Sequence, residues 1–177
     1  MLHIITPYRT DKNLGKAYND AIALLPGDCF VCLTDIDLLF LTPEQPAIIE
    51  GYCNRFPNAL LTCFTNRVSN LAGVQMLGGS ASDNPNILDH INIAQQIKGD
   101  DTVTPILRGE ISGYLMAFHK SLWDEIKFDE GIGCLAVDTY FSRKVVKSGR
   151  KILRMNGVYV WHTYRMWKDI KDKSHLK

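Results

Sequence analysis

The chain has 177 residues, of which 46% are hydrophobic and 22% are charged, and its formal net charge at neutral pH is +1. This length suits one domain that buries about 70% of its unfolded surface. The near-zero charge excludes a bulk attraction to nucleic acid or to an anionic membrane. No apolar run approaches the ~20 residues that cross a bilayer, so we predict no transmembrane segment.

The first third of the chain alternates between strand and helix patterns. Apolar runs over residues 2–6, 29–33 and 59–64 predict three short strands. Apolar residues recur with helical spacing over 14–25 and again over 48–56, which predicts a helix after each of the first two strands. Such alternation indicates a parallel sheet covered by helices on both faces, in which ligands bind outside the carboxyl ends of the strands.

Five cysteines lie among apolar neighbours, as buried reduced thiols do, and this usage predicts a cytoplasmic protein. Cys29 and Cys32 have the C-x-x-C spacing that redox and zinc sites also use. They belong to the second predicted strand, where residues three apart point to opposite faces of the sheet. No second Cys or His pair at ligand spacing completes a zinc site, so we favour buried thiols.

Residues 65–110 differ in composition from the preceding segments and are interpreted as a loop-rich insertion. Glycine, serine and asparagine are frequent between residues 77 and 86, which predicts a mobile loop. A helix is predicted over 87–98, and Gly99 marks its end. The insertion is either a segment that folds over a ligand or a passive surface loop, and both interpretations stay open.

Regular structure returns in the last third. A strand is predicted over 113–119, and Ser121 with Asp124 fits the capping box of a short helix. Apolar spacing predicts a further helix over 137–148. Two more strands are predicted over 151–155 and 158–161. Residues 165–177 form a basic and aromatic tail.

Asp35 and Asp37 directly follow the second predicted strand. On an extended segment these carboxylates face the same side, while Ile36 turns toward the core. Such a pair can hold a hard cation, and the cation can bridge the phosphates of a nucleoside diphosphate. An EF-hand is excluded because residues 38–40 supply neither its glycine nor further oxygen ligands. A dinucleotide fold is disfavoured because no G-x-G-x-x-G follows the first strand.

Several segments, in their order, resemble the GT-A glycosyltransferases, notably the large family 2 enzymes. Residues 6–9 resemble the nucleotide-contacting end of the family's first strand, and residues 13–20 resemble the stretch after it. Residues 35–37 match the D-x-D motif. Residues 111–118 resemble the strand under the donor sugar, and residues 128–131 resemble the "FDE" turn.

The resemblance continues to the end of the chain. Asp138, a helix ending at Gly149 and then His162 keep the family's spacing of an acidic residue, a helix and a metal-binding histidine. Residues 162–165 also resemble the H-x-x-R segment of the polypeptide N-acetylgalactosaminyltransferases. Many relatives carry an acidic residue where this chain has Val137.

This resemblance implies a single GT-A domain over residues 1–177, with a Rossmann-like, mostly parallel twisted sheet. It implies Mn²⁺ or Mg²⁺ held by Asp35, Asp37 and His162, with Asp37 as a direct ligand and Asp35 reaching the ribose. If the reaction inverts the anomeric centre, Asp138 is the candidate general base, whereas a retaining reaction needs no protein base. The implied nucleotide-sugar contacts come from Thr6, Pro7, Tyr8, Arg9, Asn13, Lys16, Asp35, Ile36, Gly113 and Arg165.

We therefore predict a metal-dependent hexosyltransferase that uses a nucleoside diphosphate sugar, with a UDP-sugar favoured. The acceptor is the hydroxyl of a saccharide, lipid-linked or protein substrate, and nucleic acid is not a partner. Two alternatives stay open. A nucleotidyltransferase needs a Gly-rich basic loop after the first strand, for which residues 7–12 are poor. A sugar-nucleotide-binding protein with weak or no turnover is suggested by Val137 and by the short chain.

Overall fold

The computed structural model describes residues 1–68, 74–79 and 82–163. Arg165 and the tail lie outside these residues, as do parts of the insertion. Within them the chain is an α/β domain with a seven-stranded sheet and five α-helices. Among the helices of this part of the chain, none has the length and apolar character needed to cross a membrane.

Most strands and helices occur close to the predicted positions, but the short strands Leu38–Leu39 and Val103–Pro105 were not predicted. The capping box at Ser121 is an exception, because His119 precedes the first turn of that helix and its side chain accepts a hydrogen bond from the Ser121 N–H. In chain order the elements are β1 Leu2–Ile5, α1 Leu14–Ala23, β2 Phe30–Thr34, β3 Leu38–Leu39, α2 Gln45–Arg55, β4 Leu60–Thr65, α3 Ile87–Ile97, β5 Val103–Pro105, β6 Leu115–His119, α4 Lys120–Glu125, α5 Val137–Lys147 and β7 Ile152–His162.

The sheet is mixed, and the prediction of a mostly parallel sheet is wrong. The strand order is β1-β2-β6-β4-β7-β3, with β5 beside β7. Only β1 with β2 and β4 with β7 are parallel among the described pairs. The late strand β6 inserts between β2 and β4 and runs against both. A local alternation of elements does not specify such an insertion. Strands β1, β2, β4 and β7 still run in one direction, so they end at a common edge, here called the carboxyl edge.

Strand β7 is one bent strand of 11 residues rather than the two strands predicted. Its pairing with β4 shifts from Thr62 opposite Arg154 to Phe64 opposite Tyr159, so several residues of β7 bulge between these pairs. A bulge of this kind bends the strand. The far end of β7 thereby reaches β3, where His162 pairs with Leu38. Because of the bend, His162 lies next to the turn that follows β2.

The alternation of side chains along β2 divides the core into two layers, and helices cover both faces as predicted. Val31 and Leu33 pack on the side of α1, α4 and α5. Cys32 packs on the other side, with α2. The predicted opposite orientation of Cys29 and Cys32 is confirmed, because the two thiols belong to different layers. All five cysteines are free; four are buried, and Cys134 is partly exposed.

Candidate metal centre

Three side chains converge at the carboxyl edge. One ligand atom each from Asp35, Asp37 and His162 lies within 4.8 Å of the other two. The His162 Nε2 atom is 3.2 Å from Asp37 Oδ1 and 3.7 Å from Asp35 Oδ2. Residues from two distant parts of the chain thus form one cluster, the Asp–Asp–His cluster, and they are the residues predicted as metal ligands.

The backbone between the two aspartates is a tight turn, not the extended segment assumed from the sequence. The Leu38 N–H donates to the Asp35 carbonyl across 3.3 Å. Ile36 is therefore on the outside of the turn and 87% exposed, so the prediction that it faces the core is wrong. The turn is fixed at both ends, because the Asp35 N–H donates to the Tyr114 carbonyl at 3.0 Å and the Thr163 N–H donates to the Asp37 carbonyl at 2.9 Å.

The imidazole of His162 is buried and held in one orientation. Its Nδ1 lies 2.9 Å from the carbonyl oxygen of Arg67. A carbonyl only accepts, so Nδ1 carries a hydrogen and Nε2 is the atom that faces the two carboxylates. The ring also stacks on Tyr114, with 5.2 Å between centroids. A histidine that binds metal through one nitrogen commonly donates from the other to such a carbonyl.

Negative charge is concentrated at the Asp35 end of the cluster. Burial, and then the charges of Asp37 and Asp138, raise the pKa of Asp35 to about 6, against the opposing effect of His162. Two carboxylates that face one imidazole nitrogen repel each other, and either a shared proton or a bound cation relieves this repulsion. Carboxylate oxygens with one imidazole nitrogen are a donor set that suits Mn²⁺ and Mg²⁺, and three protein ligands leave room for ligand oxygens.

Asp138 lies beside this cluster at the start of α5. Its Oδ2 accepts the Gly113 N–H at 2.7 Å, and its Oδ1 accepts the Thr139 N–H at 2.7 Å. A Cβ atom on residue 113 would come within 2.7 Å of the Asp138 Cβ, so only glycine permits this approach. Burial raises the pKa of Asp138 although both backbone donors lower it. The backbone N–H groups at the start of α5 therefore favour the charged form, but burial outweighs them.

The predicted nucleotide contacts of the first loop lie on the α1 side of the same edge. The Thr6 hydroxyl is 2.7 Å from the hydroxyl of Thr34, where β1 and β2 end together. Pro7 is half-buried and Tyr8 is exposed. The side-chain oxygen of Asn13 caps α1 by accepting the Lys16 N–H at 3.1 Å. It also accepts the N–H of Gly131 at 3.1 Å.

Three basic residues are predicted to contact the nucleotide sugar, and the two of them that lie within the described residues, Arg9 and Lys16, are held in exposed ion pairs. Arg9 pairs with Asp11 at 2.8 Å and with Asp20 at 3.2 Å. Lys16 pairs with Asp20 at 3.0 Å. The Arg9 guanidinium lowers the pKa of Asp11 to about 2. Partly exposed pairs of this kind contribute little stability, so a phosphate group can compete for the cations.

Two buried polar residues that support the site, Asn66 and Gln75, were not identified from the sequence. Asn66 is buried, and its side-chain oxygen accepts the His162 backbone N–H at 2.8 Å. Gln75 is buried, accepts the Ser112 N–H at 2.8 Å and donates to the Ser112 carbonyl at 3.1 Å, which fixes the chain leading into Gly113. Asn66 follows β4 as Asp35 follows β2, so the rule that singled out Asp35 also applies to Asn66.

Comparison with known proteins gives no family for this chain. No family model matches it, and no curated protein matches it either. The resemblance to glycosyltransferases therefore depends on the order of the motifs, and the chemistry has to be inferred from the geometry of the site.

Proposed function

We propose that the chain is a GT-A, metal-dependent glycosyltransferase that moves a sugar from a nucleoside diphosphate sugar to an acceptor hydroxyl. The observation that carries this proposal is the convergence of Asp35, Asp37 and His162 at the carboxyl edge, with Asp138 beside them across Gly113. A parallel set of strands interrupted by the antiparallel β6 is compatible with the GT-A arrangement. The free cysteines support a cytoplasmic location.

The Asp–Asp–His cluster would hold the divalent cation. Its donor atoms are two carboxylate oxygens and one imidazole nitrogen, and the fixed turn and the Arg67 carbonyl set their directions. A bound Mn²⁺ or Mg²⁺ supplies positive charge to the diphosphate as it leaves the sugar. Thr6, Arg9 and Lys16 would contact the nucleotide from the neighbouring loop. Arg9 and Lys16 exchange their exposed aspartate partners for phosphate oxygens.

Asp138 would take the acceptor proton in an inverting reaction. The acceptor oxygen forms a bond to the anomeric carbon, the bond from that carbon to the diphosphate breaks, and the hydroxyl proton passes to an Asp138 oxygen. Each of its oxygens already accepts one backbone N–H and keeps another lone pair for this proton. The raised pKa makes the carboxylate a better base. A retaining reaction needs no such base.

A sugar-nucleotide-binding protein without turnover is the second candidate. It is favoured by the backbone bonds of Asp138, which give that carboxyl a structural task in tying α5 to the start of β6. Val137, where many glycosyltransferases carry an acidic residue, leaves no neighbouring carboxylate to share the chemistry.

The deciding experiment incubates the protein with a panel of nucleotide sugars in Mn²⁺ or in EDTA, and measures the released products. We expect metal-dependent release of a nucleoside diphosphate, by transfer or by slow hydrolysis, with UDP-sugars the most active. Metal-dependent binding without release would support the binding protein. Release of pyrophosphate would indicate a nucleotidyltransferase. Absence of metal-dependent binding for every nucleotide sugar would contradict the proposal.

A further inference from the structure

The turn that follows β4 touches His162 at two points. The side-chain oxygen of Asn66 accepts the His162 backbone N–H at 2.8 Å, and the carbonyl of Arg67 accepts the Nδ1 hydrogen at 2.9 Å. The Thr65 hydroxyl donates to the same Asn66 oxygen at 3.2 Å and orients it. Asn66 is only 3% exposed, so water does not compete freely for these bonds. This turn therefore sets both the position of His162 and the nitrogen that it presents.

The same turn also binds residues 82 and 83, which lie further along the insertion. The Ser82 N–H donates to the Asn66 carbonyl at 2.9 Å, and the Asn66 amide donates back to the Ser82 carbonyl at 3.4 Å. Arg67 forms an ion pair with Asp83. Residues 82 and 83 are thus held by the two residues that hold His162.

A second connection runs through α3 to the strand that carries His162. The buried His90 lies with Nε2 2.8 Å from the Asn84 carbonyl and with Nδ1 2.7 Å from the Tyr159 hydroxyl. Its ring stacks on Tyr159 and on Trp161 of β7. Residues 82–84 are therefore connected to His162 both through Asn66 and along β7.

We propose that Asn66 is a positioning residue for His162, and that it couples residues 82–84 to the Asp–Asp–His cluster. The coupling rests on the proposed function, because it takes His162 as a metal ligand. Binding linkage is reciprocal, so a cation that fixes His162 also stabilises the hydrogen bonds between Asn66 and Ser82. The insertion then responds to occupancy of the metal centre, with Asn66 as the connection.

The test uses the full chain and its Asn66→Ala variant, titrated with Mn²⁺ in the presence of UDP. We expect a loss of affinity of about 10-fold or more, the size typical of a lost partner of a metal ligand. The matched control is Asn54→Ala. This exposed asparagine of α2 lies outside the Asp–Asp–His cluster and outside residues 82–84, so the affinity of the variant should stay within about twofold of the wild type.

Two further measurements separate positioning from a general loss of structure. Nitrogen NMR of the His162 ring in the metal-free protein should show the Nδ1-protonated tautomer in the wild type and a tautomer mixture in Asn66→Ala. Hydrogen exchange at residues 82–84 should slow when Mn²⁺ and UDP bind to the wild type, but not in Asn66→Ala. Thr65→Val, which keeps the side-chain shape, should shift the tautomer and the affinity the same way to a smaller extent, even if Asn66→Ala does not fold.

The outcomes distinguish the two proposals. A wild-type protein that does not bind Mn²⁺ and UDP together overturns the proposed function and the coupling, while the tautomer still tests whether Asn66 positions His162. A wild-type protein that binds both, with an unchanged tautomer, affinity and exchange in Asn66→Ala, overturns the role of Asn66 and leaves the proposed function standing.

Discussion

The two edges of the sheet differ in how their charged side chains are arranged. At the edge where β4 and β7 begin, a groove of about 350 Å³ is lined by Arg55, Arg150 and Lys151. There Arg150 binds both carboxylate oxygens of Glu125 at 2.7 Å, and Arg55 pairs with Asp101 at 3.3 Å. At the carboxyl edge two aspartates and an imidazole nitrogen turn toward one another, and a third carboxylate lies beside them.

The difference shows why a concave surface alone does not locate the chemistry. The two arginines of the groove are balanced by carboxylates of the protein, so a ligand gains little by replacing these partners. Crowded carboxylates at the carboxyl edge lower the stability of the protein alone, and a bound cation would offset this cost. Perturbed carboxyl groups in such a place indicate function more strongly than the size of a cavity does.

The largest expected effect comes from removing a ligand at the carboxyl edge. Asp37→Ala should weaken Mn²⁺-dependent UDP binding by more than about 100-fold, because a direct ligand of the cation is lost. The free energy of unfolding should change by less than about 1 kcal/mol, because the side chain is partly exposed. Calorimetric titration checks the binding, with Asp101→Ala at the groove as the control. Equal affinities for the two variants would remove the distinction between the edges.

A second prediction concerns Asp138, which lies at the carboxyl edge but is engaged by the backbone. Asp138→Asn should lower turnover on the order of 10²-fold, the usual effect of losing a general base, and should leave donor binding nearly unchanged. The asparagine NH2 group cannot accept a hydrogen bond, so either the Gly113 or the Thr139 N–H would lose its acceptor. The free energy of unfolding should therefore fall by about 1–3 kcal/mol. Rates measured below the melting transition, with Asp129→Asn as the control, test this. Turnover at the parent rate would make Asp138 a purely structural group.

The two edges should also differ in how stability depends on pH. In the folded protein the pKa of Asp35 lies at about 6, above the ordinary value of 3.8, so the folded state binds this proton more tightly than the unfolded state. Its contribution to stability is therefore present below about pH 4 and is lost as the pH rises through about 6. Mn²⁺ binding needs the ionised group and should strengthen over the same range.

Melting curves of the wild type and of Asp35→Asn, recorded without metal from acid to neutral pH, check this contribution. The difference between the two melting temperatures should change sharply between about pH 4 and pH 6. Carboxyls whose pKa is lowered, such as Glu125 beside Arg150, contribute the opposite slope in both proteins and cancel in the difference. A constant difference across this range would show that Asp35 is not perturbed.

The smallest effect is expected at the groove. Arg150→Ala removes a surface ion pair with Glu125, which contributes little to the free energy of unfolding, and should leave nucleotide binding and turnover within about twofold. Denaturant unfolding and the product-release assay measure the two quantities. A large loss of turnover in this variant would place a second functional surface at the groove.

Much of the fold could be predicted because it is local. The apolar spacing of 14–25 and 137–148 specifies helices whatever lies around them, and the apolar run of β2 specifies a buried strand. The insertion of β6 between β2 and β4 could not be predicted, because it depends on which distant strands pair. The bend in β7 is of the same kind, since it arises from a shifted register against β4.

The convergence of Asp35, Asp37 and His162 could be predicted because the order and spacing of these residues match a known pattern. Their geometry could not. Ile36 is exposed because the segment turns to meet β3, a strand of two residues that carries no sequence signal of its own. Asn66 was missed because a single asparagine after a strand is common. Its role is visible only once the end of β7 lies beside it, where its side-chain oxygen accepts the His162 backbone N–H.

The most direct test of a nucleotide-dependent metal centre is whether Mn²⁺ and UDP bind cooperatively. The Asp–Asp–His cluster supplies only three ligand atoms, so phosphate oxygens should complete the coordination of the cation. Thermal shifts are measured with Mn²⁺ alone, with UDP alone and with both, at fixed concentrations and neutral pH. We expect the shift with both ligands to exceed clearly the sum of the separate shifts. Additive shifts, or equal stabilisation of Asp37→Ala, would show that these three residues form only an ion pair between His162 and its aspartates.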